Sequence, residues 1–177
     1  MKEFENAGIR TLKPYICEET ANQTMKFGNF TIKAFANRTP DGKWLHNNSD
    51  GSECPCYGFW IYHPDMGKLT YASDTECVVQ RFKDLNHILI EANYSQDLVD
   101  RGSAKFTHQI RGHMSIDTAC DFLKANKSSS LRNVVLCHLS GDCGDPESFK
   151  AKAQRVVHSS VYVARKGLDV DLRLELF

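Results

Sequence analysis

Apolar and polar positions along the chain follow two different periods. Phe30 to Ala36, Tyr57 to His63, Lys68 to Ser73 and Asn86 to Ala92 are short runs rich in aromatic and β-branched residues, and they predict strands. HILIEA (87–92) and RNVVLCHL (132–139) are too apolar for simple alternation, so both predict strands covered on both faces, the central ones of a sheet. Ser115 to Asn126 puts Ile116, Ala119, Cys120, Phe122 and Leu123 on one helical face with Ser115 as N-cap. Pro146 to Val157 repeats the pattern, with Asp145 as cap and Pro146 at the first helical position. The polar stretch Asn37 to Pro55 predicts a loop. GLDVDLRLELF alternates Leu168, Val170, Leu172, Leu174 and Leu176 against charged residues, which predicts a closing strand with one wet face. Lys2 to Ala7 reads as the end of a helix stopped by Gly8. The class is α/β (α+β), with helices packed on a sheet.

The 177 residues form one domain, 1–177, long enough to bury a core, with no internal repeat and no linker of biased composition. Lys and Arg total 22 and Asp and Glu 22, so no overall field draws the chain to nucleic acid or an anionic membrane. Any phosphate must therefore be met by a local site. No run approaches the roughly 18 apolar residues of a membrane span. The start MKEFENAGIR lacks the basic and apolar stretches of a signal peptide, and a cytoplasmic location is expected. Seven cysteines at irregular spacing predict free thiols rather than a disulfide framework.

Four polar residues stand where predicted strands end or helices begin: Asp74 after KLTYAS, Glu91 in HILIEA, His113 before the Ser115 helix and His138 after RNVVLC. Strand ends in open α/β sheets are where ligands collect, and imidazoles with carboxylates there suit zinc. His46, in the polar loop, is a candidate third ligand. Singly, each has a plainer reading: Asp74 as a turn residue, Glu91 as a solvated strand end, His113 as the neighbour of an N-cap.

In this order YASDT, HILIEANY, RGHMSIDTACDFLKAN and NVVLCHLS resemble the C-terminal part of metallo-β-lactamase-fold hydrolases, most closely the small phage and bacterial enzymes related to ribonuclease Z. The resemblance implies an αββα sandwich with one or two metal ions, usually zinc, and manganese is the alternative expected for this chain. It implies metal ligation by Asp74, by His138 and, in HNNSDGSECPCYGF, by His46. It implies that His113 protonates a leaving group and that Glu91 orients it. Phosphodiester hydrolysis of a small or cyclic nucleotide is the expected activity. Processing of tRNA 3′ ends is a further alternative, disfavoured by the balanced charge.

The family's HxHxDH motif, which supplies most ligands of the first metal, does not occur. Met1 to Phe4 and AGIRTL resemble the helix and strand that follow that motif, so the family's N-terminal strands are expected to be missing. Three explanations stand open: a longer protein, a partner chain or second copy that completes the fold, or a catalytically inactive binding or assembly module. A bared sheet edge favours association with another chain.

Overall fold

The computed structural model describes residues 23–102 and 106–175, with the side chains of 106–108 excepted. The readings for Lys2 to Ala7 and AGIRTL lie outside the described residues. Among the described residues seven strands form one mixed sheet in the order β1-β2-β3-β4-β5-β6-β7. β1 (Thr24–Phe27), β2 (Phe30–Ala36), β3 (Tyr57–His63) and β4 (Gly67–Ala72) are an antiparallel meander. β5 (His87–Glu91), β6 (Asn133–Cys137) and β7 (Ser160–Val163) continue from β4 in parallel. The helices among the described residues are α1 (Phe106–Gly112), α2 (Ile116–Asn126) and α3 (Pro146–Gln154).

The helix starts obey their sequence signals. Ser115 Oγ accepts from the Thr118 amide at 3.1 Å, and Asp145 Oδ1 accepts from the Ser148 amide at 3.1 Å. Each cap satisfies an amide that the first helical turn leaves unpaired. α2 turns Ile116, Ala119, Cys120, Phe122 and Leu123 inward, and α3 adds Phe149 and Ala153. They pack on Ile88, Ile90, Val134, Leu136 and Val161, which by register share one face of the sheet. Each large aliphatic or aromatic side chain buried there contributes roughly 1.5–3 kcal/mol.

The opposite face carries a row set by register, Phe59, Tyr71, Leu89, Val135 and Tyr162. At the foot of that face the described part of the predicted C-terminal strand, residues 167–175, is a segment that joins no ladder. Its burial does alternate, with Leu168, Val170, Leu172 and Leu174 half-buried and Asp169, Asp171, Arg173 and Glu175 exposed. It crosses the strands and is tied to them by Leu174 N–H to Asp65 O at 2.7 Å and by Asn133 Nδ2 to Asp171 O at 3.4 Å. The alternation thus records a wet and a dry side, without the neighbour that would make a strand of it.

Two elements escaped the sequence reading at the sheet's edges. β1 joins β2 through the two residues Gly28 and Asn29, with Gly28 at φ +54°, where a residue without Cβ is favoured. β7 is four residues long and depends on β6 for its pairing. In the middle of the sheet, Gly58 leaves room for the buried Phe35 ring, because a Cβ there would lie 2.2 Å from Phe35 Cζ. Gly58→Ala is expected to destabilise the fold by about 1–3 kcal/mol, read as a lower urea midpoint at unchanged slope.

Candidate metal and catalytic site

Because β4, β5 and β6 run parallel, their C-terminal ends lie side by side, with Ala72 opposite Ile90 and Glu91 opposite Cys137. The chain leaves β4 through Ser73 to Asp74 and leaves β6 directly into His138. Both residues adopt left-handed backbone, φ +54° at Asp74 and +56° at His138. Asp and His tolerate this region better than most side chains, yet it remains costly, and such residues gather at functional sites. The third contributor, His113, stands two residues ahead of the Ser115 cap, held by Asn93 N–H to Met114 O and Ile116 N–H to Tyr94 O.

These elements converge on Glu91, which is wholly buried. Its Oε1 lies 2.7 Å from His113 Nδ1 and 3.0 Å from His138 Nδ1, and its Oε2 accepts from the Thr75 amide at 3.1 Å. Burial alone would raise this carboxyl. The hydrogen bonds from His113 and His138, the charge of His113 and the Thr75 amide outweigh it and hold Glu91 below its ordinary value. An ionised carboxylate only accepts, so each ring bonds it through a proton on Nδ1, which leaves Nε2 as the nitrogen able to face an ion. The bond to Glu91 raises His138 above the usual imidazole value, against its partial burial.

Asp74 Oδ1 stands 3.5 Å from His138 Nδ1 and 3.9 Å from His113 Nδ1, and the two rings meet edge to face at 5.0 Å. One ligand atom from each of Asp74, His113 and His138 can be chosen so that all lie within 4.8 Å of one another. Two imidazoles and a carboxylate are a donor set that zinc and similar divalent ions accept. A buried carboxylate on the far nitrogen of each ring is the usual support of metal-ligating histidines. The residues present fit such an ion.

His46 lies next to this group without joining it. Its Nδ1 is 2.7 Å from Gly112 O, and its ring packs edge to face on His113 with centroids 5.7 Å apart. Of the five residues singled out in the sequence, the structure gathers Asp74, Glu91, His113 and His138 in direct contact and sets His46 against His113. The bond from Glu91 to His138 joins residues 47 positions apart, and no local pattern signals it. Thr75, whose contribution is its backbone amide, has no side-chain signature at all. Cys56 and Cys137 are poor nucleophiles, because burial pushes Cys56 up to about 11 and Cys137 up to about 12. The six described cysteines are free thiols.

Solved structures resemble the chain over most of its length. The metallo-β-lactamase fold protein YhfI from Bacillus subtilis superposes on 94% of this chain and 59% of its own, with a TM-score of 0.58 and 18% identity. Igni18, a metallo hydrolase from Ignicoccus hospitalis, matches over 96% of this chain and 65% of its own, with a TM-score of 0.53 and 14% identity. An isothiocyanate hydrolase from Delia radicum gut bacteria matches over 94% and 61%, with a TM-score of 0.53 and 14% identity. No protein-family model and no curated protein matches the sequence. The fold is therefore the metallo-β-lactamase fold. The chain spans about three fifths of the length of these structures.

Proposed function

We propose that the protein is a metal-dependent hydrolase acting on a small phosphodiester such as a small or cyclic nucleotide. The observation that carries this is the buried Glu91 carboxylate aligning two imidazoles beside Asp74. Asp74, His113 and His138 would hold one divalent ion, zinc or manganese. Such an ion supplies Lewis acidity toward a phosphoryl oxygen and acidifies water at neutral pH.

The chain's own residues prepare the site for that chemistry. Glu91 fixes the tautomer and direction of both rings, and Thr75 N–H fixes Glu91. Ser115 and its helix hold the His113 segment in place, while His46 packs on the outer edge of the His113 ring. His138 and Asp74 are the more exposed members, so a substrate reaches the cluster from their side.

The test is turnover of bis(p-nitrophenyl) phosphate by the full chain, stripped with chelator and reloaded with Zn²⁺ or Mn²⁺. Turnover that needs the ion and falls at least about 100-fold in Asp74→Asn supports the proposal. Equal slow turnover by wild type, Asp74→Asn and His113→Ala overturns it. His113→Ala also separates two roles of that ring. A variant that loses its ion has lost a ligand, as proposed here, whereas one that keeps the ion and loses turnover has lost a proton donor.

A further inference from the structure

A cavity of about 390 Å³ is lined by Glu76, Tyr94, Val99, Arg101, Ile110 and Arg111, residues close in the chain to those of the cluster. Its walls leave the same segments as the cluster. Glu76 stands two residues beyond Asp74, Tyr94 three beyond Glu91, and Arg111 two before His113. Backbone bonds lock these segments together: Ile116 N–H to Tyr94 O at 2.9 Å, Glu76 N–H to Leu45 O at 2.7 Å and Asn47 N–H to Arg111 O at 3.0 Å. His46, in the segment whose Asn47 bonds Arg111, packs edge to face on His113.

The lining holds two guanidinium groups against one carboxylate. Among the described residues neither Arg101 nor Arg111 is engaged in an ion pair. On a chain whose charges otherwise cancel, two arginines at one cavity are a local concentration of positive charge. Arginine presents a planar fork of donors matched to phosphate oxygens. Tyr94, Val99 and Ile110 give the same cavity an apolar wall able to take a ring, and its volume is in the range of small-molecule sites.

We propose that this cavity is an anion subsite in which Arg101 and Arg111 receive a second negatively charged group of the substrate. The substrate class is then a phosphodiester that carries a further phosphate, with its nucleoside-sized body on the apolar wall. The placement of the scissile phosphate at Asp74, His113 and His138 rests on the hydrolase reading above. The anion subsite itself requires no metal.

The experiment measures binding by calorimetry in the presence of chelator, with adenosine 5′-monophosphate and adenosine as probes, on the full chain and on Arg101→Gln/Arg111→Gln. The expected result is at least tenfold tighter binding of the monophosphate by the wild type, with that preference lost in the double variant. Arg101→Gln alone, at an exposed turn position, is expected to lose part of it and serves if the double variant melts early. Equal binding of the two probes, no binding of either, or an unchanged preference in the folded double variant overturns the subsite. Turnover of bis(p-nitrophenyl) phosphate keeps the two proposals apart. Turnover without a phosphate preference leaves the hydrolase and removes the subsite, whereas a phosphate preference without turnover leaves the subsite and removes the hydrolase.

Discussion

Replacing Glu91 with alanine is expected to lower the free energy of unfolding by about 3 kcal/mol and the melting temperature by about 6–12 °C. The carboxylate is wholly buried and accepts from His113, His138 and the Thr75 amide. Alanine leaves these donors without an acceptor and opens a void where Thr75, sealed from solvent, cannot turn to water. Glu91→Gln keeps the volume and one acceptor oxygen, so its loss of stability is expected to be about 1 kcal/mol. Without the charge that fixes both tautomers, its affinity for a divalent ion is expected to fall about 10–100-fold. Thermal melts with chelator and ion titrations on the two variants separate packing from ring orientation. Equal melting of wild type and Glu91→Ala would remove Glu91 from the centre of the site.

The second large effect belongs to His138. His138→Ala is expected to lose stoichiometric ion, measured by mass spectrometry of metal content, and to lose at least about 100-fold in turnover. The metal-free protein should also show where this ring and Glu91 stabilise the fold. His138 is raised in the folded state, so its contribution is fully present below the unfolded value of 6.5 and fades as pH rises through its higher folded value. Glu91 is lowered, so its contribution is present above 4.5 and fades as pH falls through its folded value. Both act together between those two unfolded values. The chelated protein is expected to be most stable in that interval relative to His138→Ala, and a difference that instead grew steadily above pH 8 would contradict the geometry.

The interior of the sheet was readable from sequence because burial there is two-sided and leaves long apolar words. HILIE and NVVLC form β5 and β6 within a residue or two of their predicted bounds, and the helices at Ser115 and Asp145 begin at their caps. The edges were less legible. β1 and β7 are four residues each, too short for a period to declare itself, and α1 is only seven. Leu168 to Glu175 carries a clean alternation whose meaning depends on a neighbour to pair with, which sequence does not supply. At the site, Asp74, Glu91, His113 and His138 were visible as polar residues at strand and helix ends. The sharing of Glu91 by two rings was not, since it depends on the β4–β5–β6 register and on a loop that brings His113 back to the sheet. Arg101 and Arg111 were hidden for the same reason, as ordinary surface residues until the chain folds around a cavity.

The left-handed backbone at Asp74 and His138 puts folding and chemistry in competition at the same two positions. Judged by conformation, glycine would suit both places, with asparagine close behind, while β-branched residues would be rejected. A library of all substitutions sorted for abundance should therefore enrich glycine and asparagine there, and the same library sorted for ion binding should restore aspartate and histidine. The ranking of variants would invert between the two sorts at these two positions and stay parallel at core sites such as Ile90 and Leu136, where one requirement serves both. Asp84 shares the left-handed backbone at φ +55° but lies outside the cluster, so there the two sorts should agree, and it is the inversion between them that marks chemistry.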